Sequence, residues 1–479
     1  MQKLVSTTEK ILFWITLFLF VFIPLYPKFP LLNISGTFVA IRVEDLIIGL
    51  LVAIWLIYMF LSNKIKILFK DKLIQVILLF FLVGIVSTFS AIFLTHSVIP
   101  HLSILHFLRR VEFIILMPVV ATVVKSKKDL NLVLIVLFFT VLSVNIYGLG
   151  QQYLSWPVIS TTNSEFSKGL ILTLAHGGRV NSTFAGHYDL AVFLAMALVI
   201  LISLFFAVSR TLKFALILLS GLSLAVLIFT TARLSFVAAI IGLVVALIFA
   251  GKRKFILILL IFFAAILVYP SQLRDRFIST ITVNLFSQGV RYEGKTDDQK
   301  VRSKLNIPTL AVKTSSTSAS TSSFATQSGV PTDITPGEPI DTTQLGVYRS
   351  FQIRLQIEWP RAITALIKNP FLGTGYSSID IATDNDFLRS LGEVGLLGTT
   401  ALILILIEVS KRLHSLLKNK DRMVKYFSAG VLAMIIAFVV NGLFIDVFEA
   451  SKVASLFWMM LGLNLAVLNF ERNEIVKHF

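Results

Sequence analysis

The sequence contains no cysteine and few charged residues. Of its 479 residues, 14% are charged and 56% are hydrophobic, and the mean hydropathy is +0.86. The absence of cysteine excludes disulfides, thiolate catalysis and cysteine metal sites. The scarcity of charge excludes an ordinary soluble domain, in which about a quarter of the residues are charged. What the chain does contain is a series of continuous apolar runs, many of which approach the ~20 residues that cross a bilayer.

These runs predict an all-α polytopic membrane protein with about twelve transmembrane helices. The predicted spans lie near residues 11–27, 43–61, 73–94, 103–124, 130–154, 187–208, 212–230, 233–250, 254–270, 390–410, 426–448 and 453–470. The first run follows Lys3 and Lys10 and lacks a small-residue cleavage site. It is therefore predicted to be a retained span and not a signal peptide.

The net charge of +17 comes from cations in short turns between apolar runs, a pattern that indicates membrane topology and not nucleic-acid binding. Alternate loops carry most of them: Lys64, Lys66, Lys70, Lys72; Lys125, Lys127, Lys128; Arg210, Lys213; Lys252, Arg253, Lys254; Lys411, Arg412, Lys418, Lys420, Arg422, Lys425. These loops are expected on the cytoplasmic side. Both termini are then cytoplasmic, and the lipid bilayer is the expected environment.

The organisation predicted from these runs has three parts. Residues 1–270 form spans one to nine, residues 271–389 form one large extracytoplasmic loop, and residues 390–479 form the last three spans and a cytoplasmic C-terminus. Within the loop, residues 314–343 are rich in Ser, Thr and Pro and are predicted to be flexible. Residues 346–368 are predicted to be helical, with Pro360 kinking or splitting the helix.

Three arginines on the predicted outer side are the most informative charges: Arg179, Arg233 and Arg354. An arginine stays charged at physiological pH and presents a fork of donors that suits phosphate oxygens. Three of them at one cavity would hold a diphosphate. The alternative is that each anchors a helix end or pairs with a nearby carboxylate.

Two further groups are candidates for proton transfer. Asp384, followed by Asn385, lies just before a predicted span. Asp384 can act as a general base, and either Asp384 or Asn385 can cap the helix that follows. His187, with Asp189 nearby, can act as a base or have a capping or packing role. Asn441, Asp446 and Glu449, near the outer end of the eleventh span, are candidates to line the same cavity.

Residues 369–375 predict a helix stop followed by a glycine turn. Successive amides in such a turn can face an anion, but plain turn structure is the favoured interpretation. His96, His101 and His106 are spaced by roughly a helical turn, but no matching carboxylates accompany them, and no metal site is predicted.

Four sequence motifs, taken in order, resemble those of the O-antigen ligase and O-antigen polymerase superfamily of bacterial envelope glycan enzymes. They are residues 179–190, an Arg-containing outer loop that leads into a span; residues 231–235, a short turn with Arg233; Arg354 with Trp359, Ala362 and the turn at 369–375; and residues 384–398, which include Asn385 and Glu393. Asp384 stands where the ligases of the family carry His, which favours a polymerase-like member.

The resemblance implies a GT-C-like glycosyltransferase architecture in the bacterial cytoplasmic membrane, with the active face outside. It implies metal-independent, inverting transfer of a glycan from undecaprenyl pyrophosphate, without a cofactor. Arg179, Arg233 and Arg354 would hold the diphosphate, and Asp384 or His187 would be the base. Asn385, Glu393 and Asp189 would support them, and a chain-length regulator or flippase is a candidate partner.

Two other functions compete with the polymerisation of surface polysaccharide. The first is the related ligase, which joins a finished glycan to lipid A-core, protein or another acceptor. The second is a transporter of lipid-linked glycans without chemistry, which predicts broken helices near the midplane and polar residues deep in several spans. The polar residues here gather at the outer boundary instead.

Overall fold

The computed structural model describes residues 2–34, 40–159, 171–174, 178–282, 350–379 and 382–477, and these are mostly helical. The helices are α1 (Gln2–Leu25), α2 (Val43–Leu61), α3 (Ile65–Lys70), α4 (Lys72–Phe89), α5 (Pro100–Val123), α6 (Lys127–Tyr153), α7 (His187–Leu204), α8 (Arg210–Phe229), α9 (Arg233–Phe249), α10 (Phe255–Val268), α11 (Gln272–Thr282), α12 (Trp359–Lys368), α13 (Asp386–His414), α14 (Arg422–Gly442) and α15 (Ser451–Lys477). Two antiparallel strand pairs accompany them, β1 (Pro30–Asn33) with β2 (Ala40–Arg42) and β3 (Pro157–Ile159) with β4 (Ile171–Thr173).

Nine of the described helices are long and apolar enough to cross a membrane, which confirms the prediction of an all-α polytopic membrane protein. The predicted span at 254–270 differs from a simple crossing. There α10 has 14 residues and is followed after a short break by α11 at an angle of 91°, and the bent pair counts as a tenth span if taken together. Helix α9 has 17 residues, and α5 carries three charges, so the predicted number of twelve stays a prediction.

Helix α15 lies at the centre of the bundle, where nearly all of its apolar stretch is buried. It packs along α5, while α14 packs against both α7 and α9. In a membrane, helices associate through close packing and not through hydrophobic exclusion, so small residues matter at their contacts. Gly462 of α15 is such a residue, because a Cβ atom there would lie 2.4 Å from the carbonyl oxygen of Met117 in α5.

The cation-rich turns lie together at one end of the bundle. Ion pairs join their elements: Lys125 with Glu9, Lys127 with Asp421 and Glu471, and Arg412 with Asp71. Because Glu9 lies in the first half of α1 and Glu471 in the last part of α15, both of these segments reach the same end. The alternation that the sequence predicts is therefore present in the packing of the helices.

Most of the polar segment 271–389 lies outside the described residues, including the predicted flexible stretch 314–343. Its described part contains α11 and a helical stretch from residue 350 to Lys368. Pro360 does not end this stretch: it lies in the first turn of α12, directly after a π-helical turn at Arg354–Glu358. A π turn absorbs the missing amide of a proline without stopping the helix. At its other limit α13 begins at Asp386, within the last residues of the predicted polar segment.

We expect Gly462→Ala to lower the free energy of unfolding by about 1–3 kcal/mol, because the added methyl group meets a backbone carbonyl that cannot rotate away. The thermal unfolding midpoint of the purified protein in detergent measures this. Gly221→Ala is the matched control, since a Cβ atom at that helical glycine has no neighbour within 4 Å. Equal midpoints for the two variants would contradict the close contact of α5 and α15.

Candidate functional site

Helix α13 is interrupted near its start, and the turn at residues 369–375 supplies hydrogen-bond partners for the backbone groups exposed by the interruption. The backbone at Gly395 leaves the helical conformation, with φ 66° and ψ −168°. The amides of Leu396 and Leu397 donate to the carbonyl oxygens of Pro370 (2.8 Å) and Phe371 (3.2 Å). The carbonyls that they would have used in an intact helix, at 392 and 393, accept from the turn amides at 374 and 375 (both 2.9 Å). Each backbone group lost at the break thus gains a partner, as burial requires.

Glycine is required on both sides of this contact. Gly373 (φ +70°) and Gly395 (φ +66°) are in the left-handed region, which other residues rarely occupy. A Cβ atom on Gly373 would lie 2.4 Å from the carbonyl oxygen of Glu393, and one on Gly395 would lie 2.3 Å from that of Phe371. The turn amides at 374 and 375 point into α13, so the favoured interpretation of this turn as structural is confirmed for these two groups.

The three residues before and at the start of α13 have separate roles. Asn385 caps the helix, because its side-chain oxygen accepts from the amides of Phe387 (3.1 Å) and Leu388 (2.9 Å). Asp386 is buried and accepts from the amides of residues 447 and 448, at 2.8 and 3.2 Å. Asp384 adopts a left-handed backbone conformation (φ +49°), which aspartate tolerates better than most residues. Capping thus falls to Asn385, and the Asp384 carboxylate is free for another task.

A buried group of charges, which we call the Arg389 cluster, holds this end of α13 against α5 and the α14–α15 connection. Its members are Arg110, Asp386, Arg389, Glu393, Asp446 and Glu449. Arg389, 3% exposed, lies 3.1 Å from Asp446, 3.1 Å from Glu449 and 3.4 Å from Glu393. Arg110 pairs with Glu449 and donates to the carbonyl of residue 448 (2.6 Å). Such contacts are needed, because a buried ion without partners costs several kcal/mol.

Asp446 connects the Arg389 cluster to the segment that carries Asp384. Besides Arg389, its carboxylate accepts from the backbone amides of Thr383 (2.8 Å) and Asn385 (3.2 Å). Those two amides flank Asp384 on either side. The position of Asp384 therefore depends on a carboxylate that lies 62 residues later in the chain.

Arg354 and Asp384 form an ion pair at 2.6 Å, so the structure brings these two predicted site residues together. Arg354 also donates to the backbone oxygen of Ser350 (3.2 Å) and to that of Phe444 (3.5 Å), and its Nε atom is buried. Burial raises the pKa of Asp384, while the charge of Arg354 acts in the opposite direction. The arginine therefore weakens this carboxylate as a base.

Glu358 is a second carboxylate at this position, and it was not among the residues that the sequence indicated. It lies one turn after Arg354, at the end of the π-helical turn, and its Oε2 atom is buried without a hydrogen-bond partner among the described residues. Burial, followed by the nearby charge of Asp384, raises the pKa of Glu358 to about 7. A carboxyl group with that pKa can exchange a proton near neutral pH.

The other two predicted arginines make different contacts. Arg179 lies 3.3 Å from His187, so a predicted diphosphate ligand adjoins a predicted base. Arg233, in the first turn of α9, donates to the backbone oxygen of Arg276 (3.0 Å) and contacts Thr280, both in α11. Each of the three arginines thus has its own protein contact, which is the alternative that the sequence left open.

Backbone and side-chain hydrogen bonds nevertheless place these arginines at the same end of the bundle. The amide after Arg179, that of Val180, donates to Phe229 at the end of α8 (3.3 Å), four residues before Arg233. Ser235, two residues after Arg233, donates to Asn441 of α14 (2.7 Å). Arg354 in turn contacts the carbonyl of Phe444, three residues after Asn441.

Asp189 belongs to a different charged group. It pairs with Lys28 at 3.5 Å, and burial lowers the pKa of Lys28. The buried ammonium of Lys452 donates nearby to the carbonyls of Pro24 (3.1 Å) and Thr183 (2.7 Å). These contacts tie the ends of α1, α7 and α15 together, and they give Asp189 a structural role beside its predicted supporting one.

Arg389 was also missing from the residues that the sequence indicated, although one signal was present. Arg389 and Glu393 are four residues apart on α13, as are Arg354 and Glu358, and this spacing puts opposite charges on one helix face. Within the part of the chain that the structure describes, no group of three histidine, aspartate or glutamate side chains is arranged to hold a metal ion.

Comparison of the sequence with protein-family models finds no matching family, and comparison with curated proteins finds no significant match. The family resemblance therefore depends on the motifs alone.

We expect Asp446→Asn to lower the free energy of unfolding by about 3–5 kcal/mol, since it leaves the buried Arg389 with less compensating charge. Thermal unfolding in detergent measures the loss. Lys72→Gln is the control: Lys72 is 73% exposed and 4.0 Å from Glu408, so its removal should cost less than about 1 kcal/mol. A stability of Asp446→Asn equal to that of the control would refute the connecting role of Asp446.

Proposed function

We propose that the protein transfers a glycan from undecaprenyl pyrophosphate to an acceptor hydroxyl at the outer face of the bacterial cytoplasmic membrane, and that it polymerises surface polysaccharide repeat units. This proposal is supported by the group formed by Arg354, Asp384 and Glu358 at the start of α13, which we call the Arg354 group. It combines a permanent cation with two carboxylates, one of which has a pKa near neutrality. The order of motifs that resembles the O-antigen polymerase and ligase superfamily supplies the substrate class.

The proposed reaction is a direct displacement. The acceptor oxygen attacks the anomeric carbon of the donor sugar, and the bond from that carbon to the diphosphate oxygen breaks, with inversion. The hydroxyl proton passes to a carboxylate, and the electron pair of the broken bond stays on the diphosphate. An arginine at the leaving oxygens stabilises the charge that develops there.

Arg354 is the proposed diphosphate ligand with the strongest support. Its side chain is 10% exposed, so its interaction with an anion would be only weakly screened by water. The partner that it now has, Asp384, is 34% exposed at the side chain and can move aside or share the guanidinium. Arg179 and Arg233 lie at the same end of the bundle and are proposed to contact the more distant part of the diphosphate or the sugar.

Glu358 is the proposed base in preference to Asp384 and His187. Asp384 is held by Arg354 at 2.6 Å, and His187 adjoins the cation of Arg179. A positive neighbour disfavours uptake of a proton by either group. Glu358 has a buried oxygen without a partner among the described residues and a pKa of about 7, which suits a base that works near neutral pH.

The cation-rich end of the bundle is proposed to face the cytoplasm, with both termini there and the Arg354 group outside. The fold is proposed to be a GT-C-like membrane glycosyltransferase. Polymerase and ligase share the donor and the chemistry and differ in the acceptor. The break in α13 at Gly395 is a feature that a transporter would share, but it lies near the start of the helix and not at its middle. A transporter is less well supported, because the Arg354 group also lies at the start of α13 and not at the middle of a span.

We expect Arg354→Ala to abolish product formation, since it removes the cation at the leaving group; loss of one such stabilising contact typically costs 10²–10³-fold in rate. The purified protein is reconstituted with an undecaprenyl-pyrophosphate-linked oligosaccharide, and the products are separated on a gel. A ladder of lengths indicates polymerisation, and one discrete adduct with an added acceptor indicates ligation.

Lys368→Ala is the control for this experiment. Lys368 is an exposed cation in the last turn of the same helical stretch, and its loss is expected to leave activity close to that of the natural protein. Normal activity of Arg354→Ala would remove Arg354 from the mechanism, as would equal losses in both variants. Transport of the donor into vesicles without any glycosyl transfer would replace the proposed enzyme by the transporter.

Glu358→Gln should lose activity at all pH values if Glu358 is the base, because an amide cannot take up the proton. In the natural protein kcat/KM, which reports the free enzyme, should rise with pH through about 7, since the base works only when it is deprotonated. Asp384→Asn should remain active with this rise moved to lower pH, because the charge of Asp384 raises the pKa of Glu358. Loss of activity in Asp384→Asn with retention in Glu358→Gln would assign the base to Asp384 instead.

A further inference from the structure

An apolar cavity lies between α6, α7 and α8, and no residue of the Arg354 group lines it. Its volume is about 500 Å³, and its lining is apolar apart from Asn131. The main contributors are Leu134 and Phe138 of α6, Ala197 and Leu201 of α7, and Ala215 and Leu216 of α8. We call this cavity the α6–α8 crevice.

Helices α6 and α8 contact each other in the outer half of the bundle and separate on the side nearer the cation-rich end. In the outer half of the bundle α6 and α8 are joined by a hydrogen bond from Asn145 to Ser223 (2.7 Å), and Gly148 of α6 lies against Val226 of α8. The lining residues of α6 and α8, 131–141 and 212–216, precede these contacts in both helices and lie nearer the ends where the helices begin. The two helices therefore diverge toward the end where α6 and α8 begin.

The crevice also opens sideways to the surface that faces lipid. Three of its lining side chains are more than half exposed: Ile135 and Phe139 on α6 and Leu212 on α8. Because these helices are apolar membrane-spanning elements, the surroundings of that surface are acyl chains and not water. A hydrocarbon chain can enter from the side and fill the crevice.

The rim of the crevice is positively charged. Lys128 lies in the first turn of α6, and Arg210 and Lys213 lie in the first turn of α8. Two acids on helices that line the crevice or begin beside it have other partners: Asp129 accepts from the backbone amides that precede α6, and Asp421 caps α14 and pairs with Lys127. In the described part of the chain neither carboxylate forms an ion pair with Lys128, Arg210 or Lys213.

We propose that the α6–α8 crevice binds one anionic phospholipid of the leaflet at the cation-rich end, with an acyl chain in the crevice and the phosphate at Arg210, Lys213 and Lys128. Apolar volume alone would accept any lipid tail. The basic rim selects a negative head group, since each such cation contributes about 1 kcal/mol near an anionic surface, which is roughly a fivefold gain in affinity.

The position of the rim separates this lipid from the donor of the proposed reaction. The diphosphate of the donor would lie at the opposite end of the bundle, beside Arg354. A lipid whose phosphate lies at Arg210 is therefore a second, structural ligand. Its acyl chain fills the gap between α6 and α8 where the two helices are not in contact. The inference does not depend on the glycosyl-transfer proposal.

The test uses the full chain purified in detergent. Native mass spectrometry measures the lipid that each variant retains, and thermal unfolding is followed as phosphatidylglycerol or phosphatidylcholine of the same chain length is added. The natural protein should retain phosphatidylglycerol and be stabilised by it more than by phosphatidylcholine. Arg210→Gln with Lys213→Gln should weaken the phosphatidylglycerol effect about 30-fold, from the loss of two cations.

Two matched controls keep the proposal falsifiable. Arg253→Gln with Lys254→Gln makes the same charge change at the same end, away from the crevice, and should leave the preference intact. Ala215→Phe should fill the crevice and reduce retention of any lipid, whereas Leu218→Phe, on the exposed face of the same helix, should not. If Ala215→Phe does not fold, the two charge variants still test whether the crevice prefers an anionic lipid.

Three results would overturn the proposal. They are equal stabilisation by both lipids, an equal loss in the two charge variants, and displacement of the bound lipid by a polyprenyl phosphate at lower concentration than by phosphatidylglycerol. The last result would identify the crevice as a site for the tail of the donor.

Discussion

The break in α13 is the constraint on which the candidate site depends. A helix interrupted inside a membrane bundle exposes amides and carbonyls that have no water to bind. Here the turn at residues 369–375 supplies a partner for each of the four groups at 392, 393, 396 and 397. Because α12 leads directly into that turn, the repair fixes α12 and the π-helical turn before it against α13. Arg354 and Glu358 are thereby positioned next to Asp384.

The Arg389 cluster has the complementary role of holding the other side of the site. Arg389 is almost fully buried and has three carboxylates within 3.4 Å, and one of these, Asp446, also binds the two amides around Asp384. Buried ion pairs of this kind add little net stability but penalise any arrangement that leaves one member alone. The cluster thus favours one relative position of α5, α13 and the α14–α15 connection. That position is the one in which Asp384 reaches Arg354.

Parts of this architecture follow from the sequence because they depend on local patterns. Continuous apolar runs predict the helices, and cations in alternate loops predict that those loops meet at one end of the bundle. The cap at Asn385 follows from a polar residue just before an apolar run. The turn at 369–375 follows from its proline and glycines. Each of these features involves residues only a few positions apart.

The remaining features depend on contacts between distant residues, and no local pattern encodes them. The sequence shows two glycine-containing segments, near 373 and 395. It does not show that the backbones of these two segments pack directly against each other. It shows Asp446 and Glu449 without the partner at Arg389, which lies on another helix. The bend of 91° between α10 and α11 is likewise invisible, because Pro270 indicates where a helix ends and not which way the chain turns. A charged residue such as Asp446 has several possible partners in the sequence, and only the packing of the helices determines which of these partners it pairs with.

The contacts of Arg354 also bear on the order of events in the proposed reaction. In the structure its charge lowers the pKa of Glu358, in opposition to burial and to Asp384. A diphosphate bound at Arg354 would neutralise that charge and add negative charge of its own. Both effects raise the affinity of Glu358 for a proton. The carboxylate would then be a stronger base with the donor in place than without it, and deprotonation of the acceptor would be coupled to the presence of the leaving group.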